Sequence, residues 1–95
     1  MPKGYWIVHV DVTNAERYPD YVKLDNPVIE SFGGVFKVRG GQCEGPEGPI
    51  RSRHVVLEFE SYARALECYN SPGYQEAAKL RQAYSESEVV IVEGV

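Results

Sequence analysis

The chain has no hydrophobic run of membrane-spanning length, no cluster of lysine or arginine, and no cysteines at zinc-ligand spacing. Each absence closes a class of function. A helix needs about 20 consecutive apolar residues to cross a bilayer, so no membrane partner is expected. Nucleic acid and anionic lipid surfaces require a basic face, whereas this chain carries a formal net charge of −4. Neither is expected as a partner. Cys43 and Cys68 are the only cysteines, with no CxxC motif and no nearby histidine pair, so no metal site is expected. A disulfide between them and two free thiols are both open; the core-rich composition favours the free thiols of a reducing compartment. Met1-Pro2-Lys3-Gly4 is not a basic region followed by an apolar segment, the pattern of a secretory leader, and a cytoplasmic location is the expectation. No Ser-His-Asp or Cys-His arrangement is recognisable. Gly40-Gly41 lacks the Lys-Ser/Thr ending of a phosphate loop. No reaction and no cofactor can be read from these residues.

Apolar residues make up 43% of the chain and aromatics 12%, which suits a folded domain and excludes disorder. The length predicts a single domain over residues 1–95. The chain is organised around Val55–Tyr84. Val55, Leu57 and Phe59 alternate with Val56 and Glu58 as in a strand. Ser61 can then cap a helix that carries Tyr62, Leu66 and Tyr69 on one face. Ser71-Pro72 stops that helix and starts another, since Ser is a good cap and Pro suits the first helical position.

Upstream, Gly4–Val12 alternates. Trp6, Val8, Val10 and Val12 make an apolar face; Tyr5, Ile7, His9 and Asp11 make a mixed one. Residues 14–32 read as helix, with a kink or break expected near Asp25-Asn26 because of Pro27. Gly33-Gly34 ends it. Val35–Arg39 is a short strand, with Phe36 and Val38 on one side and Val35, Lys37 and Arg39 on the other. Residues 40–49 form a Gly/Pro-rich loop. Further strands are expected over 50–59 and 88–95.

The order is β-α-β-β-α-β, with the second helix in two pieces. This is an α+β, ferredoxin-like arrangement with a four-stranded antiparallel sheet. Right-handed crossovers put strands one and three in the centre. The face away from the helices is expected to carry Ile7, Val35, Val56, Val89 and Ile91. So apolar an uncovered face predicts a partner, most simply a homodimer.

At this level of detail the chain resembles a known family. Gly4-Tyr5-Trp6-Ile7-Val8, Asp11-Val12-Thr13, Val38-Arg39-Gly40-Gly41, Val56-Leu57-Glu58-Phe59, Cys68-Tyr69-Asn70-Ser71-Pro72, Tyr74-Gln75, Leu80-Arg81 and Val90-Ile91-Val92-Glu93-Gly94 are, as an ordered set, similar to the domain-of-unknown-function family DUF1330. Gly73 departs from the pattern, where a glutamate is more usual. The resemblance implies pairing as a dimeric α/β barrel and implies no reaction.

Two candidate sites emerge from the pattern. Antiparallel pairing gathers His9, Asp11, Arg39, Arg53 and His54 at one end of the sheet under the 40–49 loop, with His9, Arg39 and His54 counted onto the face away from the helices. Histidine can exchange a proton near neutral pH, and arginine can hold a carboxylate or enolate oxygen. Glu44 can close over them, and His9, His54, Arg39 and Glu44 are the candidate catalytic set. The second site lies between helices and sheet, with Trp6, Tyr69, Ser71, Tyr74 and Arg81 as ligand-binding candidates. The reading is a homodimer that binds a small organic molecule, with or without cofactor-free acid–base catalysis. The competing reading is a non-catalytic binding or assembly module.

Overall fold

Strand β1 (Gly4–Val12) runs through the middle of the sheet, and its alternation sets both faces. The computed structural model describes residues 2–95. The remaining elements are α1 (Tyr18–Ser31), β2 (Val35–Arg39), β3 (Arg53–Phe59), α2 (Tyr62–Asn70), α3 (Pro72–Tyr84) and β4 (Ser85–Glu93). The strands lie in the order β2-β3-β1-β4, all antiparallel. This is the ferredoxin-like arrangement expected from the alternation and crossover rules.

The register writes the two faces as rows across the sheet. On the helix side, Ile91, Trp6, Leu57 and Phe36 stand in one row, and Val89, Val8, Val55 and Arg39 in the next. Ser87, Val10 and Arg53 form a third. Trp6 is 1% exposed, packs 4.7 Å from the Tyr74 ring and donates its indole N–H to the Ala65 carbonyl at 3.0 Å. That bond satisfies the one polar atom of the largest core side chain.

On the uncovered side, Val90, Ile7, Val56 and Val38 cross all four strands as an apolar row. Val92, Tyr5, Glu58 and Val35 flank it on one side; Glu88, His9 and His54 on the other. Val89 and Ile91, expected here, point to the helices instead. Strand β4 starts at Ser85, directly after α3, and pairs Val89 with Val8 and Ile91 with Trp6. Val90 and Val92 take their place, at 47% and 40% exposed.

Strand β2 departs from strict alternation. Phe36 pairs with Leu57 and Val38 with Val56, so Lys37 has no residue opposite it. Such a bulge reverses the parity of the residues beyond it. Arg39 therefore lies beside Val55 on the helix face, not with His9 and His54 as the plain count implies.

Helix α1 begins four residues later than expected, at Tyr18. Asn14 instead forms a turn, its side chain accepting from the Arg17 N–H and its carbonyl from that of Tyr18. Of the kink or break expected near Asp25-Asn26, the break does not occur: α1 is continuous through Pro27. Pro27 and Lys23, whose carbonyl loses its helical donor, are both exposed, so water can replace the missing bond. Gly33, with φ +77°, closes the helix. Cys43 and Cys68 are free, and burial pushes the Cys68 thiol up to about 12.

Ser61 caps α2 through the Arg64 N–H, as expected. Ser71 Oγ accepts from the Tyr74 N–H at 3.2 Å and donates to the Cys68 carbonyl at 2.7 Å, joining α2 to α3. Ser71→Ala removes both bonds. It should lower stability by about 1 kcal/mol, read as a shift of the urea midpoint without a change in slope.

Candidate functional site

The six arginines divide into two groups. Arg17, Arg51 and Arg64 each lie within ion-pair distance of a carboxylate. Among the described residues, Arg39, Arg53 and Arg81 have no such partner. Arg39 and Arg53 stand on the helix side of β2 and β3, and Arg81 reaches from α3 to Ser87 of β4.

Arg39 stacks on the Phe36 ring at 4.0 Å and donates to the Asn26 side-chain oxygen at 3.2 Å. Arg53 lies in the row of Val10, its Nε buried without a hydrogen-bond partner. Gly40, with φ +68°, makes room for it: any Cβ there would collide with Arg53 Nη1. Arg81 is 4% exposed and donates to Ser87 Oγ and the Tyr74 hydroxyl. The Tyr74 hydroxyl in turn meets the Tyr21 hydroxyl at 2.8 Å. Burial raises both phenols, Tyr74 to about 12, so each stays neutral and able to donate.

Asp25 sits among these groups. It is 5% exposed, and its Oδ1 has no partner. Burial pushes its carboxyl up to about 6, against the pull of a Tyr21 hydrogen bond and the Arg39 and Arg81 charges. Asp25, Asn26, Arg39 and Arg53 face one cavity walled by Trp6, Phe36 and the α1 side chains. Its free volume is about 30 Å³, room for a water or for the polar end of a ligand. A shifted acid in an aromatic cleft with uncompensated cations is the arrangement that marks binding and proton-transfer sites.

The second cluster stands on the opposite face. His9 Nδ1 and His54 Nδ1 are 2.8 Å apart, so one ring donates and the other accepts. Arg51 binds both Glu88 oxygens, at 2.7 and 2.6 Å, and Asp11 at 3.0 Å. The Ser52 N–H and Arg51 hold Asp11 below the ordinary carboxylate range, and Arg51 does the same to Glu88. Arg51 is thus fully engaged by carboxylates, and the cluster is left with a negative excess over an open recess of about 520 Å³.

The four-residue catalytic set is thus divided. His9 and His54 meet, Arg39 is on the other face, and Glu44 lines a separate exposed depression with Gln42 and Cys43. Of the helix-side candidates, Trp6 lines the cavity while Tyr74 and Arg81 stand behind Tyr21. Tyr69 packs edge-on against Trp6 at 5.9 Å, and Ser71 serves as a cap. Asp25, Asn26, Tyr18 and Tyr21 line the cavity without being among the residues that the sequence pattern singles out. A signal for them is nevertheless present. Tyr21, Asp25 and Ile29 are spaced by four, so an acid stands on the apolar stripe of α1.

Asp25 makes stability depend on pH in a defined direction. Its carboxyl ionises near 3.8 in the unfolded chain and near 6 in the folded one. Between those values the folded state holds the extra proton, so this group's contribution falls as pH rises. Asp25→Asn escapes that loss. From about pH 4 to pH 7.5 the variant should gain about 1–3 kcal/mol relative to the parent, measured by urea unfolding at both ends. A gap that does not change with pH would contradict the assignment.

Known structures share this architecture. A protein of unknown function from Rhodopseudomonas palustris superposes with a TM-score of 0.77 at 24% identity, covering 99% of this chain and 83% of that one. A dimeric ferredoxin-like protein of unknown function from Jannaschia sp. CCS1 gives 0.65 at 17% identity, covering 96% and 98%. SnoaB, a cofactor-independent oxygenase from Streptomyces nogalater, gives 0.58 at 14%, covering 97% and 92%. These likenesses establish the fold. Among curated proteins, none matches the sequence. The family model for the domain of unknown function DUF1330 matches residues 3–95, and the chain belongs to that family.

Proposed function

We propose that the protein binds a small organic anion in the α1 cleft and exchanges a proton with it through Asp25, without a cofactor. One observation carries the reading: Arg39 and Arg53, without carboxylate partners among the described residues, share a cleft with a buried acid that has one unpartnered oxygen. An anion supplies the missing countercharge. Arg39 sits at the exposed edge of the cleft and Arg53 within it, placed to hold a carboxylate or the oxygen of an enolate. Asp25, ionised above about pH 6, takes the proton from an acidic C–H beside a carbonyl. The electron pair moves to the carbonyl oxygen under the arginines, and return of the proton completes the exchange. The fold likeness to a cofactor-independent oxygenase is compatible with such chemistry and does not identify the substrate.

The working unit is proposed to be a homodimer joined through the Val90-Ile7-Val56-Val38 row. Structural neighbours are described as dimeric, and an exposed apolar row of this kind marks an association surface. Val90→Glu puts a charge at an exposed point of that row. Light scattering should then return half the parent's mass; a parent that is already monomeric at micromolar concentration would refute the dimer.

Arg39→Ala tests the cleft. The side chain is exposed, so melting should barely move, as for most surface substitutions. Loss of a charge-assisted contact should weaken binding of pyruvate, benzoate and similar carboxylates by about 1.5–3 kcal/mol, measured by calorimetry. Equal binding by parent and variant would place the ligand elsewhere. A greatly lowered melting temperature would make Arg39 structural.

A further inference from the structure

The cleft has a second chamber. Tyr18, Val22 and Arg53 line the inner cavity and, on their other side, an open groove completed by Val12, Pro19 and Lys23. The groove has about 430 Å³ of space against about 30 Å³ inside. Its walls are mainly apolar, and its charged groups are two cations, Arg53 where it meets the cavity and Lys23. Arg53 lies close enough to the Tyr18 phenol to draw down a pKa that burial raises, so the two groups meet at the boundary.

Resting on the proposed anion site, we infer that the ligand is an acid with an extended apolar body. Its carboxylate lies at Arg53, facing the inner cavity, and its chain lies along the Val12-Pro19-Val22 groove. Volume forces the division: the inner cavity admits a few atoms, and the remainder of any organic acid has to lie outside it. Charge sets the direction. The buried Arg53 Nε is an unused donor at the junction, and the groove beyond holds no acid that would compete for it. Lys23 stands where a longer acid passes out to solvent, adding a second favourable charge.

The test uses straight-chain alkanoates from acetate to octanoate as probes, titrated calorimetrically into the parent, Val12→Asn and Arg53→Gln. Val12 lines only the outer groove, so Val12→Asn makes the groove polar at little change in volume and leaves the carboxylate site intact. In the parent, affinity should rise about fourfold per added methylene while the chain is inside the groove. In Val12→Asn the rise should fall below about twofold per methylene, with acetate bound as before; thermal melting confirms that the variant is folded. Arg53→Gln should weaken every chain length by a similar factor. The parent series stands without any variant. If acetate binds and longer chains bind no better, the anion site survives and the groove assignment falls. A rise equally steep in parent and Val12→Asn puts the chain elsewhere and also overturns it. If no alkanoate binds at all, the anion site itself fails. A change of mass in Val12→Asn by light scattering would reassign the groove to contact between copies of the chain.

Discussion

Strand β1 is hydrogen-bonded along both edges, to β3 and to β4, and covered by helices on one face only. Nearly everything else in the molecule depends on that asymmetry. A central strand cannot slip without moving every side chain to the wrong face. Trp6, Val8 and Val10 therefore fix where the helices lie, and Ile7 and His9 fix what the open face shows. Each neighbouring strand inherits its parity from this register. Arg53 stands among helices because it pairs with Val10, and His54 stands on the open face because it pairs with His9. Adjacent residues of one strand thus serve two unrelated environments.

Those environments differ in how their charges are matched. On the open face, Asp11, Glu86 and Glu88 converge on Arg51. The cluster's one cation is fully engaged, acids outnumber it, and its partly exposed ion pairs contribute little to stability. In the α1 cleft the charges are unmatched. Asp25 is buried against the preference of its charged form, by up to about 3 kcal/mol above pH 6, and neither Arg39 nor Arg53 has a carboxylate partner among the described residues. A fold selected only for stability would place an apolar residue at Asp25, between Tyr21 and Ile29. Polar groups that strain a core without a local structural gain are the expected signature of function.

Much of the architecture is legible from residue order. The alternation of β1 and β3, the paired caps at Ser61 and Ser71, and the Gly33 helix end are local signals with local causes, and crossover handedness turns them into a strand order. The two misassigned faces, of Arg39 and of Val89 and Ile91, are both errors of parity. The bulge at Lys37 leaves no mark in Val35-Phe36-Lys37-Val38-Arg39, because a strand with or without an extra residue reads alike until its partner is known. In Val89-Val90-Ile91-Val92 of β4 both faces are apolar, so only pairing with β1 decides between them. Asp25 is hidden differently. Acids are common on helices, and only the spacing from Tyr21 and Ile29 shows that this one faces inward.

The bulge also explains why the histidine pair and Arg39 do not form one site. Had β2 kept strict alternation, Arg39 would stand in the row of His9 and His54, beside Arg51 and its acids, where a further cation meets competing carboxylates. Displaced by one residue, it faces Asn26 and Asp25 instead, and its guanidinium rests on Phe36, a residue of the same face only because Lys37 is skipped. One unpaired residue in an edge strand thereby adds Arg39 to the Arg53 already in the cleft. It also leaves Val38 opposite Val56, completing the apolar row on the reverse face. In the proposed dimer the same irregularity serves both surfaces: it supplies the last hydrophobic residue of the seam and the exposed arginine of the proposed anion site.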